Sequence, residues 1–116
     1  MKRDLNLIRE ILLHVESGNK DRQIKGYSLD AFRYHGRLAI EAGLVHGNVS
    51  QTVTGEIPQV VLYELTWEGH DFLDAARNKT IWKRVNAKLL KVSGGVTFGV
   101  LKELLIQTAK QEIGLT

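Results

Sequence analysis

Near the start of the chain, apolar residues recur at three- and four-residue spacing: Leu5, Ile8, Leu12 and Val15, with Ile11 widening the stripe. That period belongs to a helix with one apolar face, and Asp4 just before it is a side chain able to accept the unpaired N–H groups of a first turn. The helix is expected to end near Ser17-Gly18. The stretch from Asn19 to Gly26 is polar around a lone Ile24 and predicts a loop with room for a short strand. Ser28 is the expected cap of a second helix running to Ala42, closed by Gly43, with Leu29, Phe32, Gly36 and Ala39 as its inward stripe.

The period then changes. Leu44–Val49 and Gln59–Leu65 are β-branched and partly alternating, and the polar linker between them holds Thr54-Gly55 and the only proline, Pro58. A β-hairpin with a long tip follows. Thr66 should cap a third helix from Trp67 to Arg77. Thr80 should cap a fourth, with Ile81, Val85, Leu89 and Val92 as its stripe and Trp82 at its flank. Gly94-Gly95 interrupts the chain, and Thr97 should open a fifth helix carrying Phe98, Leu101, Leu105 and Ile113. Trp67 and Trp82 each lie beside a cap and next to apolar stripe residues, so both are expected to be buried where helices three and four meet the hairpin.

The order helix, short strand, helix, hairpin, helices is an α+β pattern of winged-helix-like type with a C-terminal helical extension. One domain is expected, its core over residues 1–78 and two further helices over 79–116. Asn19 to Gly26 leaves little space for the additional helix that a complete helix-turn-helix places before its recognition helix.

Two stretches carry a closer likeness. The run Tyr34-His35-Gly36-Arg37-Leu38-Ala39-Ile40-Glu41-Ala42-Gly43-Leu44-Val45 resembles the end of the recognition helix and the entry to the wing in bacterial winged-helix regulators, and Leu65-Thr66-Trp67-Glu68-Gly69 resembles their "LTxxG" corner. Where that pattern has two core leucines this chain has Gly36 and Ala39. The second helix must therefore approach its neighbour closely or be filled in by Phe32 and Leu38, and a helical glycine costs roughly 1 kcal/mol against alanine. The opening Met1-Lys2-Arg3-Asp4-Leu5-Asn6-Leu7-Ile8-Arg9, with Leu65 to Asp74 and Thr80-Ile81-Trp82, resembles the family called domain of unknown function 2513. These are small proteins of bacterial and prophage genomes. The likeness implies the frame and a bacterial or phage origin, and no activity comes with it.

Composition narrows the chemistry. Of 116 residues, 43% are hydrophobic and 25% charged, an ordinary globular balance, and the absence of cysteine removes disulfides, thiolate metal sites and cysteine nucleophiles. No unbroken apolar run approaches the roughly 20 residues that span a bilayer, and the opening Met-Lys-Arg-Asp runs directly into an amphipathic pattern; a cytoplasmic protein without membrane contact is expected. His14, His35, His46 and His70 fall on different elements without the spacing of metal ligands. Glu68 and Asp71 around His70 sit in a first helical turn, where acids suit the helix dipole. Ser17, Ser28, Ser50 and Ser93 occupy expected caps and loops, and no phosphate-binding glycine loop or nucleophile elbow is present. Hence no catalytic residue, metal or cofactor is expected, and the chain reads as a non-enzyme.

The net charge of +3 hides a segregation: residues 1–76 carry 8 Lys/Arg against 11 Asp/Glu, and residues 77–116 carry 8 against 2. Two cationic groups stand out as candidates for nucleic-acid binding. Arg33 and Arg37, four residues apart on the second helix with Tyr34 beside them, share a face. Lys83, Arg84, Lys88 and Lys91 belong to a basic run from Arg77 that holds no acid, and Arg84, Lys88 and Lys91 lie opposite the apolar stripe. The hairpin, by contrast, has no Lys or Arg. Two readings stay open: a transcription-regulator-like protein binding duplex DNA, and a protein-interaction module that binds a host or phage protein through its hairpin and terminal helices. The apolar surplus of the fifth helix, from Val100 to Ile106, also predicts a homodimer through the C-terminal helices.

Overall fold

Among the described residues five helices and one hairpin follow each other as α1 (Leu5–Glu16), α2 (Leu29–Glu41), β1 (Val45–Val49), β2 (Val60–Leu65), α3 (Trp67–Ala76), α4 (Lys79–Leu89) and α5 (Phe98–Glu112). The computed structural model describes residues 1–51, 54–89 and 98–112. The chain divides into two compact units, Met1–His70 and Asp71–Thr116, with the boundary inside α3.

In the first unit the expected caps form. Asp4 Oδ1 accepts from the Asn6 and Leu7 amides at 2.9 and 3.3 Å, and Ser28 Oγ from the Ala31 amide at 3.0 Å. Between α1 and α2 there is no strand. The chain from Asn19 is held by side chains instead: Asn19 Oδ1 accepts from the Asp21 amide at 2.8 Å, and His14 Nε2 lies 2.6 Å from the Asp21 carbonyl. Leu7, Ile11, Phe32 and Val60 form a buried cluster, with Val15, Ile24, Tyr27, Ala31 and Leu62 packed around it. Burial, and then the charges of Asp4 and Glu10, hold the Tyr27 phenol above its ordinary value.

The inward face of α2 differs from the expected stripe at two places. Leu29, at the first helical position, is 38% exposed, whereas His35 is 2% exposed and lies among Phe32, Gly36 and Ala39 on the buried side. An imidazole fits there because both nitrogens have partners. The Asp4 amide donates to Nε2 at 2.8 Å, so the ring proton sits on Nδ1, which donates to the Ala31 carbonyl at 2.8 Å. This bond ties the start of α1 to α2. Gly36 solves the missing-leucine problem by close approach: a Cβ there would stand 2.9 Å from Val60 Cγ2, so the glycine is what lets β2 lie against the helix.

β1 and β2 pair antiparallel, with Val45 opposite Leu65 and Val49 opposite Val60, and the register shifts between His46 and Gly47, which face Glu64 and Leu62. Tyr63 is thus the extra residue of a bulge. The bulge is required by side-chain parity. Val60 and Leu62 face the core two residues apart, but buried Leu65 follows at an odd spacing, and only an inserted residue returns it to the same face.

At the strand-to-helix corner Thr66 ties three segments together. Its amide donates to the Leu44 carbonyl at 3.0 Å, its hydroxyl donates to the Gly43 carbonyl at 2.5 Å, and the same oxygen accepts from the Gly69 amide at 2.9 Å. Gly69 is needed because any Cβ there would collide with the Leu44 carbonyl oxygen. These contacts give the Leu65–Gly69 and Gly43-Leu44 segments a common physical purpose.

In the second unit Phe72, Leu73, Ala75, Ala76, Ile81, Trp82, Val85, Leu101 and Leu105 are buried, and α4 packs along α5. α4 starts earlier than expected. Asn78, rather than Thr80, is the cap, its Oδ1 accepting from the Thr80 and Ile81 amides at 2.9 and 3.2 Å. The two tryptophans part company. Trp82 is 6% exposed and meets Phe72 edge-on at 6.4 Å, whereas Trp67 is 83% exposed, against expectation. The helical period explains it: Trp67, Asp71 and Asp74 fall on one stripe of α3, the solvent side, while Gly69, Phe72, Leu73 and Ala76 fall on the other. On α5, Leu101 and Leu105 are buried, leaving Val100 and Ile106 exposed on different sides of the helix. The expected Thr97 cap, Gly94-Gly95, Val92 and Ile113 lie outside the described residues.

Two stability measurements check this packing. Gly69→Ala should lose a net of about 1–3 kcal/mol in denaturant unfolding, although alanine is the better helix former, because overpacking against a carbonyl outweighs propensity; a stabilised variant would refute the close approach. Trp82→Ala should cost about 3–5 kcal/mol while Trp67→Ala changes stability by less than about 0.5 kcal/mol, and equal midpoints for the two variants would show the assignment of their faces to be wrong.

Candidate nucleic-acid interface

The two cationic groups belong to different units, and each has its own local geometry. On α2, the Ser28 cap and the buried Phe32, His35 and Ala39 set the rotation of the helix, which leaves Arg33, Tyr34 and Arg37 half-buried. Arg37 has close neighbours, although its buried Nε has no hydrogen-bond partner. Its Nε lies 3.6 Å from Glu41 Oε1, four residues on, and its guanidinium sits 5.5 Å from the Tyr34 ring centroid. Tyr34 in turn meets His35 edge-on at 5.1 Å. With Asp30 and Glu41, α2 is formally neutral. Arg33 lies one turn before Arg37, and the two arginines together offset the two acids of the helix.

α4 is different. Its eleven residues hold Lys79, Lys83, Arg84 and Lys88 and no acid. Ile81, Trp82 and Val85 are buried, which orients the rest: Lys79, Lys83, Arg84 and Lys88 are all exposed. At 100° per residue, Lys79 and Lys83 run along one margin of the exposed face and Arg84 and Lys88 along the other, about 140° apart. A flexible ammonium and a guanidinium on either side of a helix can meet phosphates on both flanks of its axis. Lys88 also has a partner within the protein. Its Nζ donates to the hydroxyl of buried Thr108 on α5 at 3.2 Å, linking the two helices. Lys91 lies outside the described residues.

A broad depression of about 440 Å³ beside α1 is bounded by Glu10, His14, Asp21 and Lys25 among others, but Glu10 pairs with Arg9 at 3.4 Å and His14 with the Asp21 backbone. Among the described residues no group of three or more His, Cys, Asp or Glu is gathered so as to hold a metal ion, and no helix is long and apolar enough to cross a membrane.

The pattern that defines the family described as "Hypothetical protein (DUF2513)" matches residues 2–96, from the first helix through α4 and its basic face. The chain belongs to that family. A Haemophilus influenzae protein (strain ATCC 51907 / DSM 11121 / KW20 / Rd), described as an uncharacterized protein, is 30% identical over 110 residues, covering 90% of this chain and 92% of its own. No solved structure matches. The DUF2513 match takes in the Asp4 cap, the Thr66 corner and Trp82.

The double role of Lys88 is measurable. Lys88→Ala should destabilise by about 1 kcal/mol, because the buried Thr108 hydroxyl loses its donor, while Lys83→Ala stays within about 0.5 kcal/mol. In a Thr108→Val background the cost of Lys88→Ala should vanish; an unchanged cost would rule out the bond.

Proposed function

We propose that this DUF2513 protein is a non-enzymatic nucleic-acid-binding protein on a winged-helix-like frame, acting in the cytoplasm and gripping the phosphate backbone of duplex DNA through α4. The observation that carries this reading is the acid-free helix with exposed Lys83, Arg84 and Lys88 set around a buried apolar stripe. Phosphate contact through such a face is independent of sequence and needs no deep groove. The order α2, β1, β2, α3 supports the frame. The usual docking surface contributes less than α4 in this reading. The hairpin has no cation, and Arg37 lies against Glu41 and Tyr34, so Arg33 and Arg37 are the residues of α2 placed to read base edges. No second copy of the chain is required.

Fluorescence anisotropy of a labelled mixed-sequence duplex at several salt concentrations tests it. Each neutralised phosphate contributes roughly −0.9 to the slope of log affinity against log salt, so three contacts predict a slope near −3. Replacing Lys83, Arg84 and Lys88 together by alanine should remove most of that slope, and Arg33→Ala should reduce discrimination between duplexes without changing it. No binding at low salt would end the nucleic-acid reading.

A further inference from the structure

A second surface, built from other residues, has the opposite charge. Where β2 passes into α3, two aromatic–carboxylate doublets, Tyr63-Glu64 and Trp67-Glu68, are all exposed, separated by buried Leu65 and half-buried Thr66. Their exposure is enforced by the fold. The bulge that turns Leu65 inward pushes Tyr63 out, where its hydroxyl accepts from Asn48 Nδ2 at 2.8 Å and the ring is held as a platform. The Thr66 cap fixes where α3 begins, and so fixes Trp67 and Glu68 in its first turn on the solvent side.

An indole 83% exposed leaves a large apolar face in water, and Trp and Tyr at such positions are the side chains that most often anchor a partner. The charge says which partner. Between Arg37 and Arg77 the chain has no Lys or Arg at all, and Glu64, exposed beside Tyr63, puts a carboxylate at this corner. An aromatic face beside a carboxylate is the pair of groups that a guanidinium satisfies at once, stacking its plane on the ring and donating its N–H groups to the oxygens; an ammonium uses the carboxylate but stacks poorly.

We propose that the Tyr63–Glu68 corner docks an arginine-bearing segment of a protein partner. This goes beyond the phosphate grip of α4 and fails or stands separately from it. The two tryptophans supply the readout, because Trp82 is shielded and Trp67 is not. The intact protein is titrated with a blocked hexapeptide carrying two arginines, with its lysine and glutamate counterparts, and with duplex DNA, while tryptophan emission and iodide quenching are followed. The arginine peptide should change Trp67 emission saturably and protect it from quencher, and the lysine peptide should bind about two- to fivefold more weakly. Glu64→Gln should weaken the arginine peptide by up to about fivefold. Trp67→Ala, followed through the amide shifts of Asn48 and Tyr63, should weaken it by about tenfold, a difference of about 1.4 kcal/mol. Lys83→Ala with Arg84→Ala should leave it unchanged. No saturable response to the arginine peptide, an equal response to the glutamate peptide, indifference to both corner substitutions, or a Trp67 response to duplex DNA would each overturn the proposal.

Discussion

One hydroxyl organises the first unit. Thr66 Oγ1 donates to the Gly43 carbonyl and accepts from the Gly69 amide while its own amide binds Leu44, so the end of α2, the start of β1 and the start of α3 meet at a single residue. The meeting is closer than any side chain allows, and this is why Gly69 is glycine. Because the strand entry and the helix entry are held together, the register of the hairpin, the bulge at Tyr63 and the rotation of α3 are no longer independent choices. A helix whose first amides are capped by a residue already bound to another turn cannot roll to bury Trp67 without breaking the cap.

A similar economy governs α2. Its middle carries a glycine and a histidine where a generic amphipathic helix has aliphatic side chains, and both are explained by what lies against them. Gly36 admits Val60, and His35 receives the Asp4 amide, so the beginning of α1 is fastened to the helix by a polar bond within a buried setting. A buried imidazole is tolerated only because both nitrogens are satisfied.

The two candidate surfaces are chemically unlike. α4 exposes cations around a buried stripe, which suits a polyanion whose contribution is long-ranged and salt-sensitive. The Tyr63–Glu68 corner exposes rings and carboxylates, which suit short-range stacking and directed hydrogen bonds with a guanidinium. Under the two proposals phosphate and protein are held by separate residues, in keeping with the segregation of charge along the sequence.

Much of the fold was legible in the sequence because it is written in local rules. The helices α1 and α4, the Asp4, Ser28 and Thr66 caps, the hairpin bounds and the exposure of Lys83 and Arg84 follow from period and capping chemistry, which need only a few neighbouring residues, whereas the burial of Leu7 lay outside the expected stripe of α1. Even the exposure of Trp67 was legible in principle, since it shares a stripe with Asp71 and Asp74; its size argued for burial and its position against it. Tertiary contact decided the rest. Whether Gly36 is a defect or a close approach depends on Val60, twenty-four residues away. Nothing near His35 in sequence announces that the Asp4 amide will reach it. The bulge at Tyr63 exists because Leu65 is anchored by a corner made elsewhere. Arg37 and Lys88 both read as free cations, yet the first lies against Tyr34 and Glu41 and the second reaches Thr108 across α5. Local pattern determines which elements form and which face is apolar; which polar groups remain available to a partner is settled only when distant segments meet and take their hydrogen bonds from one another.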